Sequence, residues 1–95
     1  MRIDQIVIPV ATQDKLISKH GVTVEETRFV LLNQPRIRFA EKGYQEGENV
    51  YAAFGQTFGG RYLVLFFVYK PQNDTAIIIS ARDMSRKERR QYGRK

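Results

Sequence analysis

The sequence predicts an α+β fold in the order βααββββα: an antiparallel meander sheet with two N-terminal helices on one face and a short basic helix at the C-terminus. Three observations lead there. The run Tyr62–Tyr69 (YLVLFFVY) is the most continuously apolar in the chain, and its length suits a central strand better than a buried helix. Three more strand-like runs lie around it, joined by short polar turns, which favours antiparallel neighbours. Two capping boxes, Thr23-x-x-Glu26 and Ser85-x-x-Glu88, mark helix starts.

Taken in order, Ile3–Val10 (IDQIVIPV) reads as a first strand, with Pro9 at an edge or strand end. Thr12 is placed to cap a short helix reaching Lys19, with Leu16 and Ile17 inward. Gly21, after His20, suits the left-handed backbone that ends a helix. The second helix opens at Thr23, carries Val24, Thr27, Val30 and Leu31 inward, and stops at Asn33-Gln34-Pro35. Arg36–Glu41 alternates, Ile37 and Phe39 inward, Arg36 and Arg38 outward. Residues 42–48 form a polar loop, and Asn49–Gln56 is the next strand. Phe58-Gly59-Gly60 makes a tight connection to the central strand, and Pro71–Asp74 a turn to the last strand, Thr75–Ala81.

The central strand is oily on both sides, with Tyr62, Val64, Phe66 and Val68 on one face and Leu63, Leu65, Phe67 and Tyr69 on the other. Two short helices cover one face. The other is expected to be an apolar patch where a partner docks, and where free chains self-associate. Burial of Phe66 in this strand predicts a cost of about 3–5 kcal/mol for Phe66→Ala.

Ninety-five residues are read as one domain, 1–95, able to hold a core without staples. The absence of cysteine excludes disulfides and thiolate metal sites and fits a reducing, cytosolic compartment. No run approaches a membrane span, and no signal peptide is evident, so no membrane partner is expected. The net charge of +6 is uneven: residues 82–95 carry +5 and residues 1–81 only +1. The basic helix and tail over 86–95 therefore point to a polyanion, nucleic acid before membrane. The plain alternative is a solubilising tail.

Meander geometry gathers cations. Arg61 starts the central strand, Arg82 ends its successor and Arg36 starts the first meander strand, so all three lie at one end of the sheet with the basic helix. Guanidinium forks match phosphate oxygens. Pairing of these arginines with Asp83 or Glu88 is the competing reading. No phosphate-binding glycine loop is present, and one histidine rules out histidine-rich metal sites.

The segments Lys19-His20-Gly21-Val22-Thr23 with Glu25-Glu26, Gly47-Glu48 with Tyr51-x-Ala53-x-Gly55, Gly60-Arg61-x-Leu63-Val64, Ile79-Ser80-Ala81-Arg82 and Glu88-Arg89-x-x-Tyr92 follow one another at family spacing. In this the chain resembles the BrnT-like toxins, the toxin halves of type II toxin–antitoxin pairs with a RelE-like fold, over roughly residues 12–92. Ile8-Pro9-Val10-Ala11 stands where that family has an aromatic-Asp start, and Ile77-Ile78 where a basic residue usually precedes Ile-Ser-Ala-Arg. The resemblance implies a metal-independent ribonuclease without cofactor, acting on RNA and held inactive by a DNA-binding antitoxin in a hetero-oligomer.

Metal-free RNA cleavage needs a base for the 2′-hydroxyl, cations for the phosphorane and an acid for the leaving oxygen. Arg61 and Arg82 are placed to clamp the phosphate. Histidine is the side-chain type suited to proton transfer near neutral pH, so His20 is the best acid–base candidate, its bland alternative being a helix-end histidine. Tyr92 stacks on a base or donates a proton, or else anchors the last helix. Lys19, Arg36, Arg86, Arg89 and Arg90 are candidates for backbone phosphates. Glu48 falls at the wrong end for a base. The alternative function is a non-catalytic nucleic-acid-binding or partner-binding module on the same scaffold.

Overall fold

The protein, seen here in a computed structural model that describes residues 1–45 and 47–94, is an α+β chain. It runs β1 (Gln5–Val7), α1 (Val10–Lys15), a π-helical turn (Leu16–His20), α2 (Val24–Leu32), β2 (Arg36–Glu41), β3 (Val50–Gln56), β4 (Tyr62–Lys70), β5 (Thr75–Asp83) and α3 (Arg86–Gly93). Glu46 and Lys95, counted above with loop 42–48 and the basic tail, lie outside the described residues.

The five strands form one sheet in the order β1-β5-β4-β3-β2. The expectation of an antiparallel meander is corrected: the sheet is mixed. β2 through β5 pair antiparallel with their sequence neighbours, whereas β1 joins parallel to β5, with Ile6 opposite Ala76. A parallel partner needs a long crossover, and here the whole of α1 to β4 separates the two strands. β1 is also shorter than Ile3–Val10, because Pro9 turns the chain into α1. The helix therefore starts before Thr12, which caps nothing, and the expected βααββββα order is interrupted by the π turn. That turn closes on Gly21 at φ +61°, with the amides of Gly21 and Val22 donating to the carbonyls of Ile17 and Leu16.

α1, the π turn and α2 pack on one sheet face. Leu16, Val22, Val30 and Leu31 from this layer meet Ala53, Leu63, Leu65, Phe67, Ala76 and Ile78 from the sheet. Gly55 lets α2 sit this close, since a Cβ there would stand 2.8 Å from Val30 Cγ1. Small residues at Ala53 and Gly55, both helix-facing, thus have a packing reason. Thr23 caps α2 as read, accepting from the Glu26 amide at 3.0 Å while Glu26 Oε1 accepts from the Thr23 amide.

The opposite face follows from the register. Arg36, Phe54, Val64 and Arg82 form one row across β2 to β5, and Arg38, Ala52, Phe66 and Ser80 form the next. α3 lies over this face, its Tyr92 ring edge-on to Tyr62 at 6.0 Å. The face is not the bare apolar patch expected. Arg82 lies over Phe66, Arg38 over Phe54 and Arg89 over Tyr62, so guanidinium groups shield the aromatic rings. The expected full burial of Phe66 is corrected for the same reason: Phe66 is half-buried, and Phe67 is the fully buried phenylalanine.

Phe67→Ala should therefore cost about 3–5 kcal/mol of stability, and Phe66→Ala clearly less. Urea unfolding of the two variants checks this ordering; equal losses would contradict the assignment of faces.

Candidate nucleic-acid interface

Two charged clusters form at the end of the sheet where β4 begins and β5 ends, and the sheet separates them. The first is built on Arg61, whose guanidinium turns to the helix layer. Its Nε donates to Asp83 Oδ1 at 2.7 Å and its Nη2 to Asp83 Oδ2 at 3.2 Å. Nη1 donates to the Gly21 carbonyl at 2.8 Å and Nη2 to the His20 carbonyl at 2.7 Å. Glu26 Oε1 adds an ion pair at 3.5 Å. The last carbonyls of a helix have no partner within it, and Arg61 supplies one. The bond from Arg61 holds the Asp83 carboxyl below its ordinary range, and the Arg61 guanidinium is held above its own by Asp83.

The second cluster occupies the opposite face. Arg82 donates from Nη1 to Glu88 Oε1 at 2.7 Å and from Nη2 to Glu88 Oε2 at 3.0 Å. Glu88 Oε1 also accepts the Ser85 amide at 2.8 Å, completing the cap of α3. These contacts, Arg82 first, push the Glu88 carboxyl down to about 2. At the far end of the row, Arg36 lies over the Tyr92 ring at 5.6 Å and reaches the carbonyls of Gln91 and Arg94 near the end of α3. Arg36 and Arg82 stand three strand spacings apart, on the order of 14 Å between strand axes. Glu88 and Tyr92 are one helical turn apart on α3, so the helix bridges the row. Arg36, Arg38, Phe54, Glu88, Gln91 and Tyr92 line a hollow here.

The structure thus divides the residues singled out from the sequence. Arg36, Arg82, Arg89 and Tyr92 share one face. Arg61 and His20 belong to the other, so Arg61 and Arg82 occupy the same end without forming one clamp. The exposed Arg86 and Arg90 lie on α3, and Lys19 is exposed on the π turn. Sequence reasoning passed over Arg38, although it shares the outward alternation of Arg36. It also left out Phe54 and Gln91, for which no sequence signal existed. Among the described residues, no three His, Asp or Glu side chains gather into a metal-holding group, and no helix is long and apolar enough to cross a membrane.

A family model described as "Ribonuclease toxin, BrnT, of type II toxin-antitoxin system" matches residues 11–88. The chain belongs to this BrnT toxin family. No curated relative matches it. Among solved structures it is similar to the ribonuclease toxin BrnT of Brucella abortus, at 18% identity and a TM-score of 0.61, over 86% of this chain and 97% of that one. At that identity the likeness shows a shared fold. BrnT membership supports toxin and ribonuclease function and implies an antitoxin partner. The matched residues reach Glu88 and include Arg36, Arg61 and Arg82, while Arg89 and Tyr92 lie just past them.

The Arg82–Glu88 pair carries a pH signature. Glu88 falls from its ordinary 4.5 to about 2 in the fold, so its contribution is complete above pH 4.5 and is lost as pH drops toward 2. Glu88→Gln keeps a capping-box residue and removes the charge. It should lower stability at neutral pH by about 1–2 kcal/mol, Arg82 being partly solvated. Denaturant unfolding of both proteins across acid pH checks this: the gap should close between pH 4.5 and 2. A gap independent of pH would contradict the ion pair.

Proposed function

We propose that this chain is a single-domain RelE-like endoribonuclease toxin whose RNA site is the sheet face under α3. The observation that carries this is the row from Arg36 to Arg82, bridged by Glu88 and Tyr92. In this reading Arg36, Arg38 and Arg82 hold the phosphates, and Arg86, Arg89 and Arg90 extend the contact along the RNA backbone. Tyr92 stacks on a base or donates a proton. The 2′-hydroxyl attacks the adjacent phosphorus, the P–O5′ bond breaks, and a 2′,3′-cyclic phosphate and a 5′-hydroxyl result. Guanidinium groups supply the charge that stabilises the phosphorane, which supports a reaction without metal or cofactor. Glu88 is the carboxylate in the hollow. A phosphate drawing Arg82 away would raise its basicity toward that of a general base.

His20 and Arg61 take a different part in this proposal. Arg61 is a positioning residue, since its donors already meet Asp83 and two carbonyls. His20 stands with it on the helix side, and with Lys19 it is proposed to touch only flanking RNA. The antitoxin would silence the enzyme by covering the cationic face, in the cytoplasm where RNA and partner meet. One observation favours the non-catalytic alternative: Arg82 is already engaged by Glu88 at both oxygens.

The test is cleavage of single-stranded RNA by the purified chain with excess chelator. Cleavage should persist, leave cyclic phosphate ends, and fall by about 10²–10³ in Arg82→Ala with the fold retained. RNA binding without any cleavage would establish the non-catalytic module. Cleavage undiminished in Arg82→Ala would move the site elsewhere. Arg61→Ala is not a clean test, because it unpairs Asp83 and two helix-end carbonyls and so acts on stability as well.

A further inference from the structure

We propose that the free edge of β2 and the apolar groove beside it dock an extended, acidic segment of a partner protein, which adds to the sheet as a strand. This rests on the antitoxin partnership implied by family membership and is independent of the cleavage chemistry. Among the described residues β2 is the last strand of the sheet and has a neighbour on one side only, so its outer amides and carbonyls are open to another chain. Beside it lies a hollow of about 590 Å³ lined by Met1, Ile3, Leu31, Leu32, Ile37 and Phe39, among others. Three of these expose large apolar surface: Leu32 is 64%, Phe39 58% and Met1 57% accessible. Elsewhere on the sheet, apolar rings are shielded by helices or by guanidinium groups.

The alternation of β2 specifies the occupant. Ile37 and Phe39 point to the groove side, and Arg36 and Arg38 to the opposite face. A strand laid along β2 would set every second side chain beside the groove and the others beside the two arginines. Aliphatic residues alternating with carboxylates satisfy both rows. A second copy of this chain fits poorly, since pairing β2 with β2 would bring arginine rows together. RNA fits poorly as well, because the side chains lining the groove are mostly aliphatic or aromatic and include no lysine or arginine. The bulge between Phe39 and Glu41 confines regular pairing to Arg36–Phe39, so the edge itself holds a short stretch and the groove must add specificity. The carboxylates of such a strand would compete with RNA for Arg36 and Arg38.

Labelled synthetic peptides in which glutamate alternates with valine test this against counterparts in which lysine alternates with valine. Fluorescence anisotropy should show the acidic peptide binding the full chain at least about tenfold more tightly at moderate salt. Amide exchange should slow at the outer β2 amides. Phe39→Asp and Leu32→Gln, both at exposed positions, should each weaken that binding about tenfold or more without changing the thermal midpoint by more than a few degrees. Equal binding of both peptides, or protection that leaves β2 untouched, would overturn the proposal. So would a concentration-dependent dimer of the free chain that Phe39→Asp dissolves, because a second copy would then be the occupant. RNA cleavage by the peptide-free chain reports separately on the proposed activity, so the two ideas can fail independently.

Discussion

The architecture depends on one guanidinium. Arg61 sits where β4 begins and joins Asp83 at the end of β5, the final carbonyls of the π turn and the first turn of α2. The open end of the β4–β5 hairpin and two helical segments are thereby held at one point. The carbonyls of His20 and Gly21 would otherwise need water or another donor, and Asp83 would have no cation of its own. Fixing the helix layer to this side of the sheet leaves the other side for α3. The row from Arg36 to Arg82, set by strand register, lies on that other side.

On the opposite face, guanidinium groups cover apolar surface beside the single short helix α3. Arg38, Arg82 and Arg89 lie over Phe54, Phe66 and Tyr62 at 5.8, 5.5 and 4.5 Å. Each guanidinium lies over a ring, an arrangement that contributes about 0.5–1 kcal/mol for an exposed pair. The same side chains are then positioned to meet an anion. The shielding does not extend to the β2 edge, where Phe39 and Leu32 stay largely exposed.

Much of this was legible in the sequence because it is local. Both capping boxes, the Gly21 helix end, the hairpin at Gly59-Gly60 and the spans of the four later strands depend on a few neighbouring residues each. What was not legible depends on distant pairing. The parallel alignment of β1 with β5 unites residues some seventy apart in sequence, with no spacing to announce it. Which face of β4 is the buried one, and hence Phe67 over Phe66, is set by the layer that packs there. Arg61 and Arg82 were rightly brought to one end. Their separation onto opposite faces follows from Leu63 pairing with Asp83 and Val64 with Arg82, a register that strand boundaries alone do not define. Arg38 was available from the same alternation that exposed Arg36.

In the proposed function, RNA meets the sheet on the face under α3 and not on the side of His20 and Arg61. NMR titration of the labelled protein with a short RNA made uncleavable by a single 2′-deoxy substitution tests it directly. Shift changes should concentrate at Arg36, Arg38, Arg82, Arg89 and Tyr92 and stay small at Gly21, Glu26 and Arg61. Changes centred on the π turn and the Arg61 side chain, with the Arg82 row undisturbed, would contradict it.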